Sequence, residues 1–367
     1  MEKEKFLYEN VYEDLKKQIS QGGLKPDERL KTESELVEEY QVSTITIKKA
    51  LSMLADEGVI KRIRGKGSFV TAVPTKTENV PEAGVCKAEI KGMIGVIFEH
   101  ISSSFGLEMM YALDAQAQKA GYRLFPCFSY GEREVETEKI QYLRSIGVKG
   151  LLVMPVHGKH YNTEILKLVI DEFPTVLIDK AMEGVPLDSV RSDGEQCTRQ
   201  LVDYLYQKGK RQIALITVDE RDTSSLIERK RGFYQGMEDN HLSAKPECVM
   251  PYMNYQDSFV VYGDIYRKLV RKYLQNYGRQ LDGIVCSEYG VAMQVNLILE
   301  EENLKDSIEV CCIDENYIGP DQYRMTHIKQ DEEKIARCAM EVLLKKIQGE
   351  AMEQKDYLIP GIFVQGK

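Results

Sequence analysis

The chain has 367 residues, of which 43% are hydrophobic and 29% charged, and its formal net charge is -9. This length is enough for two or three domains with buried cores. No run reaches the ~20 apolar residues that a membrane-spanning helix needs, and the N-terminus is charged throughout, unlike a signal peptide. We therefore expect a cytoplasmic protein with no membrane segment.

The eight cysteines have no metal-binding or redox spacing. Six are scattered, Cys311 and Cys312 are adjacent, and no C-x-x-C occurs, so we expect reduced thiols that pack as small apolar side chains. The stretch "HGKH" offers His157 and His160 as two metal ligands, but the sequence places no third ligand beside them. We predict no metal site and no cofactor.

Three helical patterns open the chain. The first covers residues 8–20, where apolar residues recur at every fourth position before "GGLKPDERL" breaks the helix. The second starts at "TESE", where Thr32 can cap the helix and Glu35 can complete a capping box. The third follows Ser43, turns apolar residues inward at i, i+4 and i+7, and ends at Gly58.

A basic hairpin is predicted after the third helix. The β-like pieces "VIKRI" and "SFV" flank "RGKG", whose glycines permit a tight turn. Between Thr44 and Val70 there are six basic and two acidic residues, against the negative charge of the whole chain. The residues "GKGS" do not form a phosphate-binding loop, because no strand precedes and no helix follows them. Three helices and a hairpin predict a winged helix-turn-helix.

This arrangement predicts DNA binding. A recognition helix presents its outward N-terminal side chains to base edges in the major groove, and basic residues of helix and wing neutralise phosphates. The predicted DNA-binding residues are Lys31, Thr32, Ser43, Thr44, Ile45, Thr46, Lys48, Lys49, Arg62, Arg64, Gly65, Lys66 and Gly67.

Residues 8–71 resemble the DNA-binding domain of the GntR family of bacterial transcription factors, through "LKPDERLKTESELVEEYQVSTITIKKALSMLADEGVIKRIRGKGSFV". The family usually has P-S-E where this chain has Lys31, Thr32 and Glu33. Two family arginines are replaced by Thr44 and Lys48. Neither replacement offers the bidentate guanine contact of arginine, so we expect an operator that differs from the family's usual one.

The composition changes after the hairpin. Residues 72–91 contain two prolines and no periodicity, as a linker does. Strands such as "MIGVIFE" and "PTVLID" then alternate with amphipathic helices, which predicts parallel α/β sheets. We interpret the alternation as two halves in tandem, forming two lobes with a ligand cleft at the carboxyl ends of their strands. The predicted domains are therefore a head (1–71), a linker (72–91) and an effector-binding and dimerisation domain (92–367).

The region from residue 92 onward resembles the effector-binding domain of the LacI family, which is similar to periplasmic sugar-binding proteins. The motifs include "GVKGLLVMPV", "ERKRGFYQGM", "IEVCCIDEN" and "THIKQDEEKIARCAMEVLL". The resemblance implies a fold class of an α+β winged helix-turn-helix head followed by an α/β two-lobed periplasmic-binding-protein-like domain. It also implies effector contacts at Ser103, Ser104, Phe105, Asp193, Arg229, Glu288, Tyr289 and Asp314.

Among these residues, Arg229 and Asp314 match the family best. The guanidinium fork of Arg229 suits two vicinal hydroxyls or a carboxylate. We expect Arg229 and Asp314 to come from separate lobes or their hinge. Glu288 and Tyr289 stand where the family has N-D, and Ser103 to Phe105 stand where it has N-P-F.

The combined pattern predicts a homodimeric transcriptional repressor that binds double-stranded operator DNA and is released by a sugar or sugar derivative. A ligand-dependent activator and an enzyme with a DNA-binding head are the alternatives. The chain has no G-x-S-x-G elbow, and its body consists of two small α/β lobes rather than the larger pyridoxal-phosphate fold that some GntR-type heads carry. Both observations favour a binding protein over an enzyme.

Overall fold

A computed structural model provides the structure. It describes residues 7–20, 24, 28–56, 59–63, 67–71, 90–156, 158, 162–219, 223–251, 259–314, 325–350 and 353–366. The chain divides into two compact units, Met1–Cys86 and Lys87–Lys367, which we call the head and the body. Arg64, Gly65 and Lys66 of the predicted wing tip lie outside the described residues, as do His157 and His160.

The head has the predicted order of elements. Its helices and strands are α1 (Leu7–Ser20), α2 (Glu33–Tyr40), α3 (Thr44–Asp56), β1 (Ile60–Ile63) and β2 (Gly67–Val70). The two strands pair antiparallel, with Ile60 opposite Val70. The predicted winged helix-turn-helix is therefore confirmed.

Regular apolar spacing forms the core of the head. Val11, Leu15 and Ile19 recur every four residues on α1, so they share one face, and each is at most 3% exposed. They pack in one cluster with apolar side chains of the other helices and the hairpin: Leu30, Leu36, Ile47, Ala50, Leu51, Leu54, Ile60 and Val70. Burial of this face holds the short helices together, because isolated helices of this length are marginal in water.

The body contains parallel strands connected by helices, as predicted. Its strands are β3 (Gly92–Phe98), β4 (Tyr122–Phe128), β5 (Leu151–Val153), β6 (Thr175–Ile178), β7 (Asp188–Ser192), β8 (Ile213–Val218), β9 (Cys248–Met250), β10 (Gly283–Cys286), β11 (Glu309–Ile313), β12 (Thr326–Lys329), β13 (Asp356–Ile359) and β14 (Ile362–Val364). Its helices are α4 (Leu107–Ala120), α5 (Arg133–Ser145), α6 (Thr163–Ile170), α7 (Gly194–Gln207), α8 (Ser224–Asp239), α9 (Phe259–Tyr277), α10 (Tyr289–Glu301) and α11 (Glu332–Ile347).

The strands form two sheets, one for each lobe of the body. The first-lobe sheet has the order β13-β7-β6-β5-β3-β4, and all its described pairs are parallel. The second-lobe sheet has the order β14-β12-β11-β10-β8-β9, in which only the described pair β12 and β14 is antiparallel. Apolar clusters cover both faces of each sheet, as parallel sheets require.

The two lobes are not tandem halves of the sequence, so that prediction is wrong. The chain passes from the first lobe to the second between β7 and α7. It then returns at the start of α11, which packs on α4, β6 and β7 of the first lobe. After β13 joins the first sheet, the chain crosses again so that β14 can join the second. The sequence pattern could not predict these crossings, because a crossing between lobes leaves the strand and helix periodicities unchanged.

Candidate DNA-binding surface and effector site

The start of α3 presents a group of exposed side chains. Thr44, Ile45, Lys48 and Lys49 are all exposed, while Ile47 between them is fully buried. Ile45 is 79% exposed, which is unusual for an apolar side chain. In a major groove, such a side chain can contact the methyl group of thymine.

Two predicted contact residues have structural roles. Thr32 is the N-cap of α2, where its hydroxyl accepts from Glu35 N and the Glu35 carboxylate accepts from Thr32 N, at 2.6 Å. Ser43 caps α3 by accepting from Thr46 N at 3.2 Å, and its hydroxyl also pairs with that of Thr46. The predicted capping box is therefore confirmed.

Acidic and aromatic neighbours of the head restrain its basic residues. Arg62 on the hairpin donates to Glu33 on α2 at 2.6 Å, and Lys48 lies 3.9 Å from the same carboxylate. The ammonium group of Lys49 lies 3.8 Å from the centre of the Tyr8 ring. These contacts are close to the surface, where a phosphate can compete for the cations at small cost.

Arg29 is a further basic residue beside the hairpin, and the sequence analysis missed it. Its backbone forms an isolated antiparallel bridge to Phe69 of β2, so the segment before α2 lies alongside the hairpin. A Cβ on Gly67, whose φ is 113°, would lie 2.8 Å from Arg29 Nε. Gly67 therefore allows this side chain to lie against the wing. The position of Arg29 beside the wing is visible only in the structure, because in the sequence Arg29 belongs to the stretch "GGLKPDERL", which was interpreted as a helix breaker.

In the body, Arg229 is buried on α8. It is 8% exposed, and its Nη1 donates to the carbonyl of Ser287 at the end of β10, at 2.9 Å. The glycine of the R-x-x-G motif, Gly232, lies where a Cβ would be 2.2 Å from the Glu195 carbonyl on α7. Gly232 therefore allows α7 and α8 to approach each other closely. Arg229 Nε and Ser287 Oγ are buried without a hydrogen-bond partner among the described residues.

Asp314 ends β11 and carries the second predicted effector contact. It is 8% exposed, and burial raises its pKa to about 7, against the opposing charge of Arg229. Its carboxylate accepts from Gln330 Nε2 at 2.8 Å. Both Arg229 and Asp314 belong to the second lobe, so of the two places that were predicted, separate lobes or their hinge, the first is wrong. Asp314 does lie beside the hinge. Its hydrogen-bond partner Gln330 lies between β12 and α11, where the chain passes from the second lobe to the first.

The first lobe faces this pair with Asp179, which the sequence analysis did not select. Asp179 follows β6 and is 8% exposed. Burial raises its pKa, and the charges of Lys180 and Arg229 oppose this shift without reversing it. The backbone φ angles of Asp179 and Asp314 are 67° and 65°, both left-handed. The charge of Arg229 thus acts on two buried carboxyls, one from each lobe.

A buried ion pair lies next to Asp179. Lys180 forms an ion pair with Glu99 at the end of β3 and also donates to the Pro155 carbonyl at 3.1 Å. Glu99 is 1% exposed and Lys180 5% exposed. Removing either partner would take the nearest described counter-charge away from a buried charge, which is costly.

The other predicted effector residues are dispersed. Asp193 caps α7 by accepting from Gln196 N at 2.9 Å. Glu288 is the N-cap residue of α10 and makes no side-chain cap bond, while Tyr289 packs against the core of the second lobe. The structure brings Asp193 near Arg229 and Asp314, since all three charges act on the thiol of Cys197, whose pKa burial raises to about 11.

Ser103, Ser104 and Phe105 lie in the loop between β3 and α4 of the first lobe. Ser103 is exposed and Phe105 packs partly against the core. Glu332 of α11 anchors the loop by accepting from Gly106 N and Met109 N at 2.9 and 2.8 Å. No hydrogen bond or ion pair of the described chain joins these three residues to Arg229 or Asp314.

Sequence reasoning therefore missed Asp179, Ser287 and Gln330. Each follows the end of a parallel strand, and polar residues at strand ends were the available signal. They became site residues only through the strand order, which places β6, β10 and β12 beside one cleft.

Other kinds of site find no support in the described residues. No group of three His, Cys, Asp or Glu there could bind a metal ion. No described helix is both long and apolar enough to cross a membrane. The cysteines within the described ranges are free thiols, and all but Cys338 are buried.

Comparisons with known families match the two units separately. Residues 7–70 match the description "Bacterial regulatory proteins, gntR family", and residues 202–367 match "Periplasmic binding protein-like domain". The chain carries a GntR-type DNA-binding domain. The resemblance inferred from the sequence is thus confirmed for both parts of the chain.

Curated relatives extend over nearly the whole chain. The arabinose metabolism transcriptional repressor of Geobacillus stearothermophilus is 23% identical over 96% of this chain and 94% of its own length. That of Halalkalibacterium halodurans is 22% identical over 95% of this chain and 90% of its own length. The chain is a DNA-binding transcriptional regulator.

Solved structures share the fold of the body. A periplasmic binding protein/LacI transcriptional regulator from Alkaliphilus metalliredigens, complexed with D-xylulofuranose, has a TM-score of 0.61 at 22% identity and covers 75% of this chain and 98% of its own. The Cra regulator from Pseudomonas putida, in complex with fructose 1-phosphate, has a TM-score of 0.62 at 20% identity and covers 74% and 98%. The predicted LacI-like, periplasmic-binding-protein-like fold is confirmed.

Proposed function

We propose that this regulator is a homodimeric repressor that an uncharged sugar releases from its operator. The observation that carries the proposal is the buried arrangement of Arg229 with Asp179 and Asp314, at the ends of strands from both lobes. A ligand between these residues would contact both lobes at once. It would therefore favour one arrangement of the lobes over the other.

The chemistry of this arrangement suits hydroxyl groups. Arg229 has an unused Nε–H donor, and Asp179 and Asp314 offer carboxyl oxygens as acceptors. A sugar hydroxyl can accept from the first and donate to the others. A phosphate would meet two buried carboxyls and one arginine, which disfavours a sugar phosphate at this position.

The comparisons supply the first compound to test. Two relatives that extend over nearly the whole chain are named for arabinose metabolism. One structural neighbour was crystallised with D-xylulofuranose and another with myo-inositol. All three compounds are small and rich in hydroxyls. Arabinose is therefore the first candidate effector.

The head would read one half of an approximately palindromic operator. In a winged helix-turn-helix, α3 would lie in the major groove, with Thr44, Ile45 and Thr46 near base edges. Lys48, Lys49 and Arg62 would neutralise phosphates, and Arg29 would join them from beside the wing. Residues 72–91 would act as the linker between the predicted domains 1–71 and 92–367.

Two heads per molecule require a dimer, and the body offers apolar surface for one. Met293 and Leu297 lie one turn apart on α10 and are 39% and 36% exposed, and Val249 on the edge strand β9 is 48% exposed. Tyr111 on α4 of the first lobe is 65% exposed. Exposed apolar groups of this kind are typical of contacts between subunits.

A gel-shift titration tests the proposal. Operator DNA bound by the full chain should be released by arabinose or another sugar of a panel, and tightened binding would instead indicate a co-repressor or an activator. Recovery of the sugar unchanged would argue against an enzyme. We expect Arg229→Lys and Asp314→Asn to bind operator normally but need about ten- to a hundredfold more sugar for release, since each loses a charge-assisted hydrogen bond.

The matched control is Arg199→Lys, because Arg199 lies on the neighbouring α7 with a 45% exposed side chain. It should respond at the wild-type midpoint. If all three variants respond like wild type, the sugar does not contact Arg229 or Asp314. Sedimentation of the full chain tests the dimer, which Leu297→Glu should dissociate.

A further inference from the structure

A cavity lies between the two lobes of the body. It has a volume of about 850 Å³ and is lined by α5, by residues 180–187 between β6 and β7, and by the first turns of α8. Neither Arg229 nor Asp314 lines it. Glu228 of α8 lines it, whereas the next residue of the helix, Arg229, does not.

Arg191 is the central charged group of this cavity. It lies on β7 of the first lobe and is 6% exposed. Its Nη2 contacts Glu228 Oε1 of the second lobe at 2.8 Å and Asp356 Oδ2 at 3.5 Å. Its Nε and Nη1 are buried and have no acceptor among the described residues. Buried guanidinium donors without acceptors are rare, because each loses its bonds to water and gains none in return.

The N-terminus of α8 faces the same cavity. Thr223, Ser224 and Ile227 line it. Thr223 is the N-cap residue but makes no side-chain cap bond, and its buried Oγ1 has no partner among the described residues. The first amides of a helix point outward without intrahelical partners, and the helix dipole makes this end favourable for an anion.

Lys180 also lines the cavity and forms an ion pair with Glu99, and several other charges there are engaged or lie at its rim. The Glu136 carboxylate accepts from Val156 N and Asn162 Nδ2 at 2.9 and 2.8 Å. Arg231 lies at the exposed end, with its side chain 64% exposed. An incoming anion would replace Glu228 on Arg191. The second carboxylate near Arg191, that of Asp356, belongs to a half-exposed side chain and can stay in water, unlike the buried carboxyls of Asp179 and Asp314.

We propose that this cavity is a second ligand site, which binds a small metabolite through a carboxylate or phosphate group held by Arg191 and the N-terminus of α8. The site contains groups from both lobes, as the sugar site does. Its ligand would therefore act on the same lobe arrangement, and the two ligands would change each other's affinity. The proposal does not depend on the sugar site.

The test uses the full chain without DNA or sugar. Glycerol 3-phosphate and citrate are compared with glycerol and with chloride at equal ionic strength, by thermal shift and titration calorimetry. We expect the two anions to bind and raise the melting temperature, and glycerol and chloride to have no effect. Comparison of glycerol 3-phosphate with citrate shows whether the cavity prefers a phosphate or a carboxylate.

Arg191→Lys keeps the charge but loses the fork, and we expect it to weaken anion binding at least about tenfold. Thr223→Val removes only the hydroxyl and should weaken anion binding less than Arg191→Lys does. If Arg191→Lys does not fold, Thr223→Val provides the test. Arg199→Lys, on the exposed face of α7, should bind like wild type. The proposal is overturned if neither anion binds the wild type, or if the Arg191 and Thr223 variants bind both anions as the wild type does.

Discussion

The head and the body place their charged side chains in opposite environments. In the head, the side chains of Lys31, Lys48 and Arg62 are 61%, 59% and 43% exposed. In the body, Arg229 and Asp314 are each 8% exposed. Exposed charges keep their hydration and act on a large, charged partner, whereas buried charges act only on a molecule that enters their site. The difference predicts which substitutions are severe.

The largest effect is expected from Arg229→Met. It leaves Asp179 and Asp314 buried without their shared cation, so we expect the free energy of unfolding of the body to fall by about 3–5 kcal/mol. The matched change in the head, Arg62→Met, removes an exposed pair and should cost less than about 1 kcal/mol. Urea denaturation of both variants measures the contrast. Equal losses would remove the distinction between the two environments.

A large but pH-dependent effect is expected from Asp314. Burial raises its pKa from 3.8 to about 7 in the folded chain. Between these values the folded chain keeps a proton that the unfolded chain has lost, so the contribution is full below about pH 4 and declines as the pH rises to 7. We expect a slope of about -1.4 kcal/mol per pH unit from this group.

The variant Asp314→Asn isolates this contribution, because it cannot titrate. Its stability measured from pH 4 to pH 7 should decline less steeply than that of the wild type. Asp179 and Glu228 also have pKa values raised by burial, and they remain in both proteins. Parallel profiles for the wild type and Asp314→Asn would show that Asp314 is ionised throughout this range.

A moderate effect is expected at the start of α2. Thr32→Ala removes the cap while Glu35 remains, and we expect the head to lose about 1 kcal/mol of stability. Thr32→Ser keeps the hydroxyl and should restore it. Thermal unfolding of the full chain, followed at the head's transition, measures this. If Thr32→Ala weakens operator binding without loss of stability, the hydroxyl acts on DNA rather than on the helix.

The smallest effects on stability, with measurable effects on binding, are expected from the surface of α3. Lys48→Ala should change stability by less than about 0.5 kcal/mol but lower the slope of log affinity against log salt by ~1. Lys49→Ala should lower the slope less, because its ammonium group lies over the Tyr8 ring. Ile45→Ala should alter the preferred base sequence and leave the slope unchanged. A slope unaffected by Lys48→Ala would separate this helix from the phosphates.

The same contrast explains what the sequence could predict. The capping box, the i, i+4 spacing of Val11, Leu15 and Ile19, and the basic hairpin are all short-range signals, and the head follows them closely. The body site is formed by strand ends far apart in the sequence. For Asp179 and Gln330 the sequence offered only a polar residue at a strand end, and the sheet order alone brings them beside Arg229 and Asp314.

There is also a physical reason why the sequence gives no clear strand pattern for β7. The stretch "DSVRS" is polar, yet β7 is buried along its whole length because it lies inside the first sheet between β6 and β13. Its Ser189 hydroxyl donates to Asp356 on β13, and its Arg191 contacts Glu228. Partners supplied from elsewhere in the chain made burial of these polar residues possible.

The left-handed backbone at Asp179 and Asp314 limits how the effector site can evolve. At φ angles of 67° and 65°, a β-branched or bulky residue is strongly disfavoured, whereas Asp, Asn and Gly are tolerated. Changes of ligand specificity among descendants of this chain should therefore use exchanges of carboxylate for amide, or loss of the side chain, at these two positions. New apolar or aromatic contacts should arise instead on the loops around them.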